Sequence, residues 1–165
     1  MKKLIFIRHG IAEDQAFEIT DFERSLTPKG KNISKLMARQ LLEKENTLGL
    51  IITSPAFRAL ETAYLFSGEF GVRPESVTVN SNLYYKMNIS YLTDLLADQG
   101  SENDVITLFG HNPSFTEIVD CLCKQGCDFL PKSGVIGIYF NIENWTDLKL
   151  HTGKREYFLK PEKKL

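Results

Sequence analysis

"LIFIRHGIAE", Leu4 to Glu13, runs an oily segment straight into an arginine, a histidine and a glycine. Residues 3–8 read as a buried central strand, closed by a turn at Gly10. Leaving Arg8 or His9 unpartnered in a core would cost several kcal/mol. The strand is therefore expected to deliver both side chains to a rim of the sheet, where they can meet something.

The segments that follow alternate in kind. Thr27 and Pro28 in "RSLTPKG" suit the cap and first position of a helix, with Ile33, Leu36, Met37 and Leu41 as its buried stripe. "LGLIIT" reads as a second strand, and "SPAFRALETAYLF" as a helix capped by Ser54 with Pro55 first. "VTVN" and "DVITLFG" read as strands, "ISYLTDLLADQ" as a helix between them, and another helix is expected from about Pro113. "GVIGIYF" and the segment from Leu148 to Phe158 read as strands paired antiparallel at the end of the sheet. Such alternation predicts one α/β domain over residues 1–165, three-layer α/β/α, with a mostly parallel central sheet. The loop from Ile11 to Arg24 is the longest irregular stretch, a candidate lid or substrate wall.

Composition narrows the function. With 42% hydrophobic and 25% charged residues, 165 residues suffice for a full core without staples. A net charge of -1 argues against bulk nucleic-acid binding, which needs a basic face. No apolar run approaches the roughly 20 residues that span a bilayer. Only four apolar residues separate Met1-Lys2-Lys3 from Arg8, too few for a signal peptide, so a cytoplasmic location with no membrane partner is expected. Cys121, Cys123 and Cys127 are then expected to be reduced thiols; their C-x-C-x3-C spacing lacks a fourth ligand, and no metal is expected.

Arg8-His9-Gly10, Ser54-Pro55 and Gly110-His111-Asn112 each follow a strand of the expected parallel set, which places all three on one edge. In such sheets ligands sit beyond the carboxyl ends of the strands. Arg58 falls in the first turn of a helix, where free N–H groups already favour an anion. Taken singly, a histidine after a strand is more often structural, and Arg58 could be a solvated helix residue. Together they are harder to dismiss, because two of the three histidines in the chain fall at strand ends on one edge. Two arginines, two histidines and a helix start make an electropositive pocket of the kind phosphate requires. His151 reads as a surface residue.

The combination resembles the histidine phosphatase superfamily, with its phosphoglycerate-mutase-like fold. Arg8-His9-Gly10 matches the RHG signature, "TSPAFRALETA" (Thr53 to Ala63) the second motif with Arg58 at its arginine position, and "FGHN" supplies His111 as the second histidine. "DFERSLTPKG", Asp21 to Gly30, is similar to the region after the first motif in small SixA-type phosphohistidine phosphatases. The resemblance implies that His9 attacks phosphorus and forms a transient phosphohistidine that water hydrolyses. It implies that Arg8, Arg58 and a protonated His111 bind the phosphoryl oxygens, without a cofactor. The attacking nitrogen of His9 must be neutral, so its other nitrogen is expected to be pinned by a backbone carbonyl.

Many relatives acting on alkyl phosphates carry a carboxylate after the third strand as a proton donor. Here that neighbourhood reads "SNLYYKMN", Ser81 to Asn88, with no Asp or Glu. Its absence favours phosphohistidine on a phosphotransfer protein, whose leaving imidazole needs less help than an alkoxide. Phosphatases of small phosphorylated metabolites, with Glu13 as acid, and a non-catalytic phosphohistidine-binding module are the competing expectations. Glu13 is otherwise read as a surface carboxylate.

Overall fold

In a computed structural model, which describes residues 1–163, the elements alternate as β1 (Lys2–Arg8), α1 (Pro28–Leu42), β2 (Leu50–Thr53), α2 (Phe57–Glu69), β3 (Val77–Val79), α3 (Ile89–Asp98), β4 (Val105–Gly110), α4 (Ser114–Leu122), β5 (Val135–Phe140) and β6 (Lys154–Leu159). The six strands form one sheet in the order β3-β2-β4-β1-β5-β6. The first four in that order run parallel, while β5 is antiparallel to both β1 and β6.

The oily run of β1 is explained by its central place. Leu4 and Phe6 pack on one side with Leu92 and Leu96 of α3 and Phe115 and Val119 of α4. Ile5 and Ile7 pack on the other with Met37 and Leu41 of α1 and Phe66 of α2. A strand covered on both faces has no polar side to show, so strict alternation disappears. The same division sends Ile52 and Leu108 to the first core and Ile51 and Phe109 to the second.

Helix α1 starts as expected, with Thr27 Oγ1 accepting from Gly30 N at 3.0 Å and Pro28 first. Its buried stripe differs: Gly30, Ser34, Met37, Ala38 and Leu41 face inward, while Leu36 is 55% exposed. Leu36 lies two residues from Ser34, about 200° around the helix and off that face. Helix α2 begins later than expected. The regular helix runs from Phe57, but Ser54 still caps the approach, its Oγ accepting from Ala56 N at 3.2 Å while also meeting His111 in the site described below. Strand β2 starts only at Leu50, since Gly49 turns at φ +61. The last strand starts at Lys154 rather than Leu148; a short 3-10 turn at Trp145–Asp147 and a left-handed His151 occupy the approach. His151 is exposed.

Candidate active site

Parallel register brings the three strand ends together. Arg8 of β1 pairs with Gly110 of β4, and Thr53 of β2 pairs with Phe109. Beyond those pairs the backbone continues as a lattice: His9 N donates to Gly110 O at 3.0 Å and Ser54 N to Phe109 O at 2.9 Å. Gly10 N donates to Thr62 Oγ1 at 3.0 Å, and Thr62 Oγ1 in turn donates to Arg58 O at 2.6 Å. Thr62 thus ties the first turn to the helix that presents Arg58. Gly10 is required by closeness, because a Cβ there would lie 2.6 Å from Ser34 Oγ and 3.0 Å from Ser133 Oγ.

His9 is 7% exposed. Its Nδ1 lies 2.8 Å from Gly10 O, and a carbonyl only accepts, so Nδ1 carries the proton. The lone pair of the neutral ring is then on Nε2, as nucleophilic attack needs. Burial pushes the ring down to about 3; the Gly10 bond opposes this, while His111, Arg58 and Arg8 add to it. His9 is therefore neutral at neutral pH.

The ring of His111 lies 5.1 Å from that of His9, tilted by 53°. Its Nε2 sits 2.8 Å from Ser54 Oγ. Burial first, then Arg58 and Arg8, lower it to about 4, with Asp21 opposing. For the protein by itself, burial and the nearby guanidiniums of Arg58 and half-buried Arg8 thus disfavour the protonated His111 expected for phosphoryl binding. A phosphoryl dianion would work in the opposite direction.

Arg8 donates through Nη1 to Leu130 O at 3.1 Å and lies with its Cζ 5.3 Å from the Phe129 ring centre. Arg58, 7% exposed, donates to Asp21 O at 2.7 Å and to Asp21 Oδ2 at 3.0 Å. The Nε atoms of both arginines are buried without any hydrogen-bond partner. Leaving such donors unsatisfied costs about 1–3 kcal/mol each, more when charged. Two guanidiniums with incomplete hydrogen bonding beside a neutral imidazole give this rim an electropositive character that suits an oxyanion.

Arg8, His9, Arg58 and His111 are therefore gathered at one site. Glu13 is exposed, with its backbone bridged to Ser25. Residues that sequence reading did not single out complete the wall. Asp21 Oδ1 accepts from Arg24 Nη1 at 2.9 Å, and Oδ2 accepts from Tyr84 Oη at 3.0 Å. Partial burial disfavours the charge, but the bonds from Arg24, Arg58 and Tyr84 outweigh it and hold the carboxyl at about 2. Tyr84 stands edge-on to His111 at 5.8 Å and to Phe22 at 5.4 Å; Phe22 meets Phe57 at 5.8 Å. The signals for Asp21 and Tyr84 were their presence in "DFERSLTPKG" and in the carboxylate-free "SNLYYKMN".

The cysteines are free; Cys123 and Cys127 belong to the core that packs on Leu4 and Phe6, and Cys121 is half-buried. Burial raises Cys123 and lifts Cys127 to about 11, so neither favours a thiolate. Among the described residues no group of three or more His, Cys, Asp or Glu could hold a metal ion, and no helix is long and apolar enough to cross a membrane.

No protein-family model matches the chain. An uncharacterized protein of Picosynechococcus sp. is 33% identical over 141 residues, covering 82% of this chain and 84% of that one. Among solved structures, the protein histidine phosphatase SixA complexed with tungstate superposes with a TM-score of 0.80 at 20% identity, over 96% of this chain and 97% of that one. A mycobacterial glucosyl-3-phosphoglycerate phosphatase bound to VO3 gives 0.68 at 12% identity, over 95% and 98%. Phosphoserine phosphatase of Entamoeba histolytica, with 3-phosphoglyceric acid, gives 0.64 at 18% identity, over 98% of each chain.

Proposed function

We propose, for a chain that belongs to one family with the Picosynechococcus protein and has the histidine phosphatase fold, that it is a phosphatase working through a phosphohistidine intermediate on His9. The observation that carries the reading is the state of His9: neutral, with Nδ1–H held by Gly10 O and Nε2 free, beside the unpartnered Nε atoms of Arg8 and Arg58. Arg8 and Arg58 take the equatorial oxygens, and His111 adds a donor once the dianion has raised it. Such chemistry rests on positioning and charge, which these groups supply with their own side chains.

The substrate we favour is phosphohistidine on a phosphotransfer protein. The stretch after β3 offers Tyr84 rather than a carboxylic acid, and the nearby carboxylate, Asp21, is held ionised and cannot donate a proton. An alkoxide leaving group then departs without general acid help, a loss of about 10²–10⁴ in rate. Phosphohistidine, whose ring leaves as neutral imidazole once protonated, escapes most of that loss. Parallel assays of phosphohistidine, phosphoserine and a sugar phosphate are the test. Turnover of phosphohistidine is expected to exceed the alkyl phosphates by about a hundredfold or more. Equal rates would return the reading to a phosphatase of small metabolites, and no turnover of any phosphate by the folded protein would leave a binding module.

A further inference from the structure

Asp21 is not accounted for by phosphate binding. A carboxylate 3.0 Å from Arg58 Nη2 reduces the positive charge that a dianion seeks, so it needs another use. Its position suggests one. The Asp21 side chain is 45% exposed, whereas His9 lies at 7%. In-line displacement puts the leaving group on the far side of phosphorus from the attacking nitrogen. Because His9 is almost fully buried, that side is the exposed one, the mouth, where Asp21, Tyr84 and Phe22 stand together.

The geometry points to Asp21 as a leaving-group residue: a fixed anion at the mouth that accepts a hydrogen bond from the distal N–H of a protonated phosphoimidazole, beside the ring faces of Tyr84 and Phe22. The assignment rests on the phosphohistidine reading and specifies the cationic ring as the form bound. In the first step a bond forms from His9 Nε2 to phosphorus while the substrate P–N bond breaks. The electron pair of that bond stays on the departing ring nitrogen. The distal nitrogen keeps its proton, so the ring enters as a cation and leaves as neutral imidazole, and Asp21 stays ionised throughout. Water then attacks phosphorus, the second P–N pair returns to His9 Nε2, and both water protons leave on inorganic phosphate.

A nearby anion favours the protonated ring, and aromatic faces favour a cation. Neither helps an alkoxide or a phenolate. The same carboxylate therefore aids one leaving group and repels the others. Arg58 does not depend on the side chain alone for its place, because the backbone oxygen of Asp21 also accepts from it at 2.7 Å.

The test compares kcat/KM for free N-phosphohistidine and for 4-nitrophenyl phosphate in the full chain and in Asp21→Asn. The substitution keeps the shape and an acceptor oxygen but removes the charge. Activity on phosphohistidine is expected to fall about ten- to a hundredfold more than activity on the aryl ester. An equal fall on both would overturn the proposal and make Asp21 a positioning residue for Arg58. Wild-type turnover of the aryl ester without phosphohistidine turnover would instead overturn the substrate reading beneath it. A second measurement needs no variant: imidazole at pH 6 should tighten inhibition of the wild-type protein by inorganic phosphate severalfold. No change in that inhibition would count equally against the assignment.

Discussion

Strand β1 bears charge at both ends, and the two ends are built differently. At its start Lys3 Nζ meets Glu45 Oε1 and Glu156 Oε2, each at 2.7 Å, and Tyr157 Oη donates to Glu45 at 2.8 Å. Burial works against the Lys3 charge, but the bonds to Glu156 and Glu45 prevail and raise its pKa. At the far end Arg8 has one neutral carbonyl, an aromatic face and an orphaned Nε, and burial lowers its pKa. On this strand Lys3 is surrounded by counter-charges, as a charge that serves folding should be, whereas Arg8, proposed to bind an oxyanion, has no carboxylate beside it.

The comparison can be broken most severely at the nucleophile. His9→Ala should lower phosphatase turnover by about 10⁴-fold or more while circular dichroism stays native, since a covalent mechanism has no substitute for the attacking nitrogen. Near-normal rates in that variant would remove the covalent step. A matched pair sharpens the contrast between the ends. Arg8→Met should cost about 10²–10³ in kcat/KM yet leave denaturant stability equal or higher, because a half-buried charge without a counter-ion is removed. Lys3→Met should leave kinetics alone and lower stability by about 2–3 kcal/mol, less than a fully buried pair because Lys3 and Glu156 reach solvent.

A further effect concerns pH. His9 and His111 have folded values of about 3 and about 4, below the 6.5 of the unfolded chain. Between those limits the unfolded state binds more protons, so stability is complete above about pH 6.5 and declines as pH falls toward 4. Chemical denaturation at pH 7 and pH 5 should differ by up to about 4 kcal/mol. His9→Ala should lose part of that difference, whereas a slope unchanged in this variant would show that the buried histidine is not its source.

Much of this was legible beforehand, for physical reasons. The oily run of β1, the Thr27-Pro28 cap and the strand-helix alternation are local signals, and each corresponds to an element at its expected place. Arg8, His9, Arg58 and His111 were legible because parallel strands send their ends to one rim. What escaped depends on packing between distant segments. Ser54 resembles a helix cap in sequence and does accept from Ala56 N, but its second bond, to His111 across 57 positions, has no local signal. Asp21 and Tyr84 meet across 63 positions, and no local pattern announces that bond. The cost of protonating His111 is not legible in sequence either, because it depends on burial and on the guanidiniums of Arg58 and Arg8 beside the ring.

The register of β4 has a consequence for assembly. This strand lies between β2 and β1, and its pairing aligns Gly110 with Arg8 and Phe109 with Thr53. A chain in which β4 has not yet inserted holds no pocket, because positions 8, 58 and 111 share a rim only after that nonlocal pairing is complete. Such pairings bear the loop-closure entropy that slows folding. An oxyanion therefore has no site on early or partly assembled forms and acts on the native state alone, adding about 2.7 kcal/mol at a hundred times its Kd. Vanadate or phosphate would then serve as a folding reporter, with protection appearing only when the last central strand has docked.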